Sequence, residues 1–481
     1  MTDVDLIIIG AGIAGINAAY RFQTEGPPGM TYTLLEGRDS IGGTWDLFRY
    51  PGIRSDSGIF TFGFAWNPWP GKGILALGPA IKKYMVESAR GAGIDKHIRY
   101  QHKVKHANWI SKDSCWEVTA NVNGDEKVVT IRANFVYLAT GYYNYDQPRQ
   151  VDIPGIENFQ GKVIHPQFWP ENYDYTRKKM VVIGSGATAI TIVPAVADKV
   201  EHVTMLQRSP TYIFPLAQHS LFTSILFAVA PRRLAQFINR AIWILQTFAM
   251  IKICNNFPSL SKRFIRYNNE QLLPPSTPWD PHFNPRYNPW EQRLCASMDG
   301  DIFAALRSSK ARVVTDTIET VTEKSIKLKS GKEIAADVIV TATGLSMLFA
   351  GGMKITVDDK EIDHCSKFLW KGAMLQDVPN LFFTIGFENA SWTLGCDCAA
   401  YLMARMLHRM RREGAEVAVP RLDDSIKMKP KPLFSLKATY LEGINKQLPK
   451  GGDGVWAPRS NYIVDLMQSK YGDISTGVVL E

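Results

Sequence analysis

The sequence predicts an α/β chain of two parallel-sheet domains, each interrupted, with a helical insertion inside the second. Three observations predict it. Short apolar runs end in glycine-rich turns at two places, Leu6–Ile9 before G-A-G-I-A-G and Met180–Ile183 before G-S-G-A-T-A. Each turn leads into residues with helical spacing and then into another apolar run. Two further runs, Phe135–Gly141 and Asp337–Gly344, each end in A-T-G and read as returning strands that close the two sheets.

Bulk properties agree. A chain of 481 residues exceeds one ordinary domain. Its 45% hydrophobic and 21% charged content fits a globular protein with a sizeable core. The net charge of +9 comes from Lys and Arg spread along the chain, with no nucleic-acid motif, so nucleic acid is excluded and a phosphate-bearing ligand is the economical partner. The six Cys are scattered, which suits a reducing cytosol rather than a disulfide scaffold. Cys396 and Cys398 are the one close pair and read as buried thiols, because no second pair with ligand spacing accompanies them; no metal site is expected. Met1 to Asp5 is polar and the next apolar run breaks at Gly10, so no signal peptide is read and a cytoplasmic protein is expected.

The first unit begins with the strand Leu6–Ile9, too short for a helix. Gly10 permits a tight turn, Gly12 lets a pyrophosphate approach the backbone, and Gly15 lets the following helix pack on the strand. Unpaired N–H groups at that helix start then face the phosphates. A second strand, Thr31–Leu35, ends at Glu36, at the spacing where an acid holds a ribose hydroxyl. An acid favours an unphosphorylated ribose, hence FAD or NAD.

The second unit repeats the plan with a different ending. Gly184 and Gly186 are followed by Ala189 in place of the third glycine, which the pattern tolerates. The strand His202–Leu206 ends at Arg208 and Ser209 rather than at an acid. A planar guanidinium suits a 2′-phosphate, so NADP is the expected ligand. The fold class is therefore α/β with two Rossmann-like dinucleotide-binding domains, one for FAD and one for NADP, and a flavin enzyme reduced by a nicotinamide.

Between the two sites, Phe159 to Pro170 reads F-Q-G-K-V-I-H-P-Q-F-W-P and matches F-x-G-x-x-x-H-x-x-x-W-P at Phe159, Gly161, His165, Trp169 and Pro170. This resembles the fingerprint of type I Baeyer–Villiger monooxygenases, as does G-G-T-W-D-L-F-R-Y-P-G-I-R-S-D at Gly42 to Asp56. The stretches Gly141–Asp146, Tyr287–Cys295 and Asn389–Leu394 are similar to one subgroup, that of the ethionamide-activating monooxygenase. The resemblance covers essentially the whole chain.

The resemblance implies the chemistry. NADPH reduces FAD, O2 gives a C4a-peroxyflavin, and this inserts oxygen into ketones to give esters or lactones or oxidises sulfides. Arg293 is implied to stabilise the peroxide and the adduct, with Asp56 holding it in position. Gly43, Thr44, Trp45, Asp56 and Val104 are implied contacts of the flavin nucleotide; Ser185, Thr188 and Ser209 join the glycine turn and Arg208 around NADP. Without the resemblance, Arg293 and Asp56 read as a surface Arg and a loop Asp. One departure bears on selectivity. Many family members have Lys before the essential arginine, to help hold the 2′-phosphate; here it is Gln292, which leaves Arg208 nearly alone in that task. His165 and Trp169 are implied to set the angle between the nucleotide domains rather than to move protons. An N-oxygenating flavin monooxygenase is the nearer alternative; a non-catalytic nucleotide-sensing flavoprotein is the other.

The FAD domain is expected at 1–145 and 346–481, and the NADP domain at 146–212 and 290–345. Residues 213–289 read as a helical insertion with apolar runs at Leu221–Ala230 and Ala241–Ile251, neither reaching the roughly 18–20 residues of a membrane span. A lid over the substrate entrance is preferred to a helix lying on a membrane through 221–251. Pro and Gly in Pro430–Trp456 predict a mobile loop near the active site.

Overall fold

The computed structural model describes residues 2–388, 390–423, 425–434 and 447–481. Val4–Ile9 lies between Tyr32–Leu35 and Lys127–Leu138, parallel to both, with Ile8 opposite Leu34 and Tyr137. A strand covered on both faces needs apolar residues at successive positions, and Leu6, Ile7 and Ile8 are all fully buried. These strands are the middle of an eleven-stranded sheet. Lys354–Val357 and Leu381–Phe383 join the same sheet parallel to His102–Ile110 and Lys127–Leu138 respectively, so the chain comes back to it after a long excursion. The helix Ile13–Glu25 packs against the long helix Trp392–Glu413. Between them Arg21 Nε donates to Asp397 Oδ1 at 2.9 Å, and Asn17 Nδ2 donates to the same oxygen at 3.3 Å. The buried carboxylate is tolerable because it is both paired and hydrogen-bonded.

The excursion builds a second sheet of five parallel strands, in the order Ala311–Thr315, His202–Gln207, Lys179–Ile183, Val338–Thr341 and Lys162–Ile164. The last strand was not expected. Lys162–Ile164 belongs to Phe159–Pro170, the connector between the two nucleotide sites, yet it pairs with Val338–Val340 and buries Ile164. The two domains are joined by chain segments that cross side by side. Asn144 N–H donates to Ser346 O at 2.9 Å and Leu348 N–H to Tyr142 O at 3.0 Å.

The 213–289 region departs from an all-helical reading at its start. Ile213–Leu216 is a strand, parallel to Cys295–Met298, and Asn269 Nδ2 ties back to Ile213 O at 3.0 Å. Three longer helices follow, Leu221–Val229, Arg232–Asn256 and Pro258–Glu270, and then a single helical turn, Trp279–His282. The second apolar run is a correction to expectation. It is embedded in a 25-residue helix, which is long and apolar enough by length and composition to cross a membrane. Arg240 does not interrupt it, because its guanidinium is spent on the carbonyls of Phe60 and Gly63 at 3.0 and 2.9 Å.

Candidate active site

The first glycine turn separates into residues fixed by packing and one left free. Gly10 has φ +107°, and a Cβ there would lie 2.6 Å from Ala139 O. A Cβ on Gly15 would lie 1.9 Å from Gly10 O, which is the close helix–strand approach that position serves. A Cβ on Gly12 would meet only Gly43 Cα, at 3.9 Å, so the protein itself leaves room there for a ligand. Glu36 accepts from Ala11 N–H at 2.7 Å and from Arg38 N–H at 2.9 Å. Burial pushes its carboxyl up, while these two N–H groups and the Arg38 charge oppose that rise. A cavity of about 230 Å³ opens over this turn, and Gly10, Gly12, Glu36, Gly43, Thr44, Trp45 and Val104 all line it. Thr44 Oγ1 lies 3.0 Å from the Tyr145 hydroxyl at its edge.

The second turn has the same division. Gly184 has φ +139°, and a Cβ would sit 2.3 Å from Ala342 O; at Gly186 nothing lies within 4 Å. Ala189 is fully buried where a third glycine would stand. Ser185 Oγ donates to Ser209 O at 2.9 Å, and Arg208 and Ser209 are exposed at the end of the His202–Gln207 strand. Thr188 turns toward the other domain, where its hydroxyl meets Tyr50, whose phenol burial pushes up to about 12. Gly52 of the same loop rests so closely on the Ala187–Val196 helix that a Cβ would lie 2.7 Å from Ala195 Cβ. The R-Y-P-G loop is thus an interdomain contact.

Arg293 and Asp56 come together in a second cavity of about 630 Å³. Arg293 Nη1 lies 3.8 Å from Asp56 Oδ2, and Nη2 reaches Glu388 O at 3.4 Å. At that separation the pair is an ion pair without a short hydrogen bond, and its strength depends on how dry the cavity becomes. The insertion supplies one wall with Trp243, Ile244, Thr247 and Phe248; Phe387 and Tyr462 stand among the other lining residues.

The start of the Trp392–Glu413 helix separates the two cavities. Trp392 lines the first and Ser391 the second. The hydroxyl oxygens of Ser391 and Thr393 are buried and have no hydrogen-bond partner among the described residues. Buried polar atoms normally find partners, and a helix start adds unpaired N–H groups. The polar edge of a ring system bridging the cavities would meet this helix start on its Ser391 side. With the open Gly12 cradle, this fits a flavin dinucleotide. In the sequence alone, Asn389–Leu394 carries the family resemblance without a role of its own; Asn389 lies outside the described residues.

His165 Nδ1 accepts from Gln167 N–H at 3.2 Å and caps the short turn Pro166–Phe168. Burial pushes its pKa down, which keeps the ring neutral. Gln167 Nε2 donates to Asn144 O at 2.6 Å, fastening the segment to the interdomain crossing. Trp169 is buried edge-on to Tyr175 at 5.8 Å. Of Pro430–Trp456, residues 435–446 lie outside the described residues. Its described ends do not stand free: Leu433, Leu448 and Trp456 are buried in the core around the first sheet.

A flavin-binding monooxygenase-like family model matches residues 78–259, and an NAD(P)-binding Rossmann-like domain model matches residues 8–70. The chain is 42% identical over 472 residues to the FAD-containing monooxygenase EthA of Mycolicibacterium smegmatis, spanning 98% of this chain and 95% of the relative. It is also 42% identical over 478 residues to the probable FAD-binding monooxygenase AlmA of Acinetobacter baylyi, spanning 99% and 95%. In fold it is similar to OTEMO in complex with FAD and NADP, with a TM-score of 0.74, 19% identity and 100% of each chain covered. An oxidized steroid monooxygenase bound to NADP gives a TM-score of 0.77 at 17% identity over 99% of each chain.

Proposed function

Because the chain belongs to the family of FAD-containing monooxygenases, we propose that it uses FAD, NADPH and O2 to convert ketones to esters or lactones and sulfides to sulfoxides. In the ketone reaction, substrate, O2, NADPH and a proton give the ester, NADP+ and water. One observation carries the reading: Arg293 and Asp56 share a largely apolar-walled cavity that adjoins the nucleotide cavity at the start of the Trp392–Glu413 helix.

Bound flavin, once reduced by NADPH, supplies the activation of O2. The residues supply placement and charge. The Gly12 opening and Glu36 hold the dinucleotide at its phosphates and ribose. Ser391 and the helix start would hold the polar edge of the ring. Gly186, Ser185 and Arg208 hold NADP, with Arg208 on the 2′-phosphate. Arg293 places a fixed cation where negative charge develops on oxygen as the carbonyl carbon becomes tetrahedral, and Asp56 keeps that cation aimed. The walls around Trp243, Phe248 and Phe387 exclude water, which strengthens the electrostatic effect. The division into 1–145, 146–212, 213–289, 290–345 and 346–481 belongs to this proposal. It is supported by the return of Lys354–Val357 and Leu381–Phe383 to the first sheet. A reducing, cytoplasmic setting is supported by six free thiols.

The test is turnover under isotopically labelled O2 with NADPH and a ketone. One labelled oxygen in the ester is expected. NADPH oxidation that releases only hydrogen peroxide, with no oxygenated ketone or sulfide, rejects the reading; exclusive oxidation of an amine would favour an N-oxygenating enzyme instead.

A further inference from the structure

The three-helix insertion exposes an apolar surface that the oxygenation chemistry does not require. Val229, Phe237, Leu260 and Phe264 are 76%, 69%, 62% and 56% exposed. Single exposed apolar residues are ordinary, but more than half of the large exposed ones among the described residues lie between Leu221 and Tyr267.

The helix Arg232–Asn256 is inverted relative to the usual amphipathic helix. Three of its polar residues face inward. Gln236 Nε2 donates to Trp69 O at 2.9 Å, Arg240 holds two carbonyls of the first domain, and buried Asn239 meets Thr223 Oγ1 at 3.0 Å. Its outer side carries Leu234, Phe237, Leu245 and Ile253. These inward bonds fasten the helix along the protein, so it lies on a surface rather than crossing one.

The charge is one-sided. Residues 213–270 contain seven Lys and Arg and one acid, Glu270, which Arg266 Nε meets at 2.8 Å, although 46 acids are spread through the 481 residues. Arg232, Arg233, Lys252 and Arg263 are exposed beside the apolar side chains. Apolar helices fringed by cations match an anionic lipid surface. Two copies of the face would bring cations against cations.

The cavity opens within this face. Phe248, Lys252 and Ile463 line it and are themselves exposed. On the Ile463 side the helix Tyr462–Tyr471 adds exposed Val464, Met467 and Tyr471. Two elements far apart in sequence therefore ring one mouth with apolar groups.

We propose that the insertion docks on an anionic phospholipid bilayer and turns the mouth of the substrate cavity toward it, so that lipophilic ketones or sulfides enter from the bilayer. Docking stands on the surface alone; the delivery of substrate rests on the oxygenase reading.

The test is flotation of the full-length FAD-loaded protein with phosphatidylglycerol–phosphatidylethanolamine vesicles and with phosphatidylcholine vesicles. At least about tenfold more protein is expected to float with the anionic vesicles, falling at high salt. The double variant Phe237→Glu, Phe264→Glu is expected to stay in the dense fraction with unchanged flavin content. Wild type staying dense with both vesicles overturns docking. So does a dimer by light scattering that the double variant dissociates, since a second copy would then cover the face. As a separate arm, turnover of a long-chain ketone dissolved in vesicles should fall about tenfold in the variant, with a water-soluble ketone unaffected. Equal rates on the vesicle-borne ketone overturn delivery. Flotation without any oxygenation would instead count against the oxygenase reading.

Discussion

Arg293 and Asp56, from chain segments far apart, face each other at 3.8 Å inside the larger cavity, each about two-fifths exposed or less. An arrangement this open gains strength only when flavin and substrate displace water. Arg293→Ala is predicted to lower oxygenation at least about 10²-fold, as loss of an oxyanion partner does, with little change in anaerobic flavin reduction by NADPH. Stopped-flow bleaching of the flavin, measured beside product formation, separates the two. Lost reduction with surviving oxygenation would reverse the role given to Arg293. Asp56→Asn should fall between wild type and Arg293→Ala.

Gly15 and Gly186 are predicted to fail differently. A Cβ on Gly15 collides with Gly10 O, so Gly15→Ala should yield misfolded or flavin-free protein. A Cβ on Gly186 meets nothing within 4 Å. Gly186→Ala should therefore keep wild-type Tm and flavin content while raising the KM for NADPH about tenfold, a loss of about 1.4 kcal/mol. An unchanged KM would remove Gly186 from the cofactor site.

Coenzyme choice should rest on Arg208. Arg208→Ala is predicted to raise the KM for NADPH about 10- to 100-fold and leave that for NADH nearly constant, the ~1.5–3 kcal/mol of a hydrogen bond to a charged group. Gln292→Lys should move the NADPH-to-NADH ratio of kcat/KM the other way. Parallel changes with both coenzymes in the Arg208 variant would exclude contact with the 2′-phosphate.

Acid sensitivity should reside partly in Asp46, which is 1% exposed and bonded to Arg38 and Lys82. Burial alone would raise its carboxyl, but Lys82 and Arg38 outweigh that and hold it below its ordinary value. A group depressed on folding stabilises fully above its unfolded pKa of about 4, and the benefit is lost as pH falls through the folded value. Asp46→Asn is predicted to cost roughly 2 kcal/mol at pH 7, short of the ~3–5 kcal/mol for a fully buried pair, since Arg38 and Lys82 are partly exposed. Urea unfolding compared at neutral and acid pH checks this; a gap that widens toward acid contradicts it.

The glycine turns and their strands were legible because each is a local pattern: an apolar run, a turn that needs positive φ, and a helix start. Glu36 could be found by counting from Gly15. What stayed hidden depends on distant partners. Nothing near Lys162–Ile164 announces its pairing with Val338–Val340, and nothing near Tyr50 announces Thr188 in the other domain. The buried hydroxyls of Ser391 and Thr393 look like any helix start until the two cavities are seen on either side. The insertion misled for another reason. Gln236, Asn239 and Arg240 are spaced as one polar side of a helix, and the ordinary assumption is that such a side meets water. Carbonyl oxygens of Phe60, Gly63 and Trp69 reverse that assumption by drawing the donors in.

The edge strand Lys162–Ile164 changes what the connector can do mechanically. Hydrogen-bonded to Val338–Val340, it travels as one body with the second sheet, and His165 and Trp169 travel with it. Any swivel of one nucleotide domain against the other must then be taken up beyond it, at the crossing segments Tyr142–Asn144 and Ser346–Leu348, with Gln167 as the bolt between strand and axle.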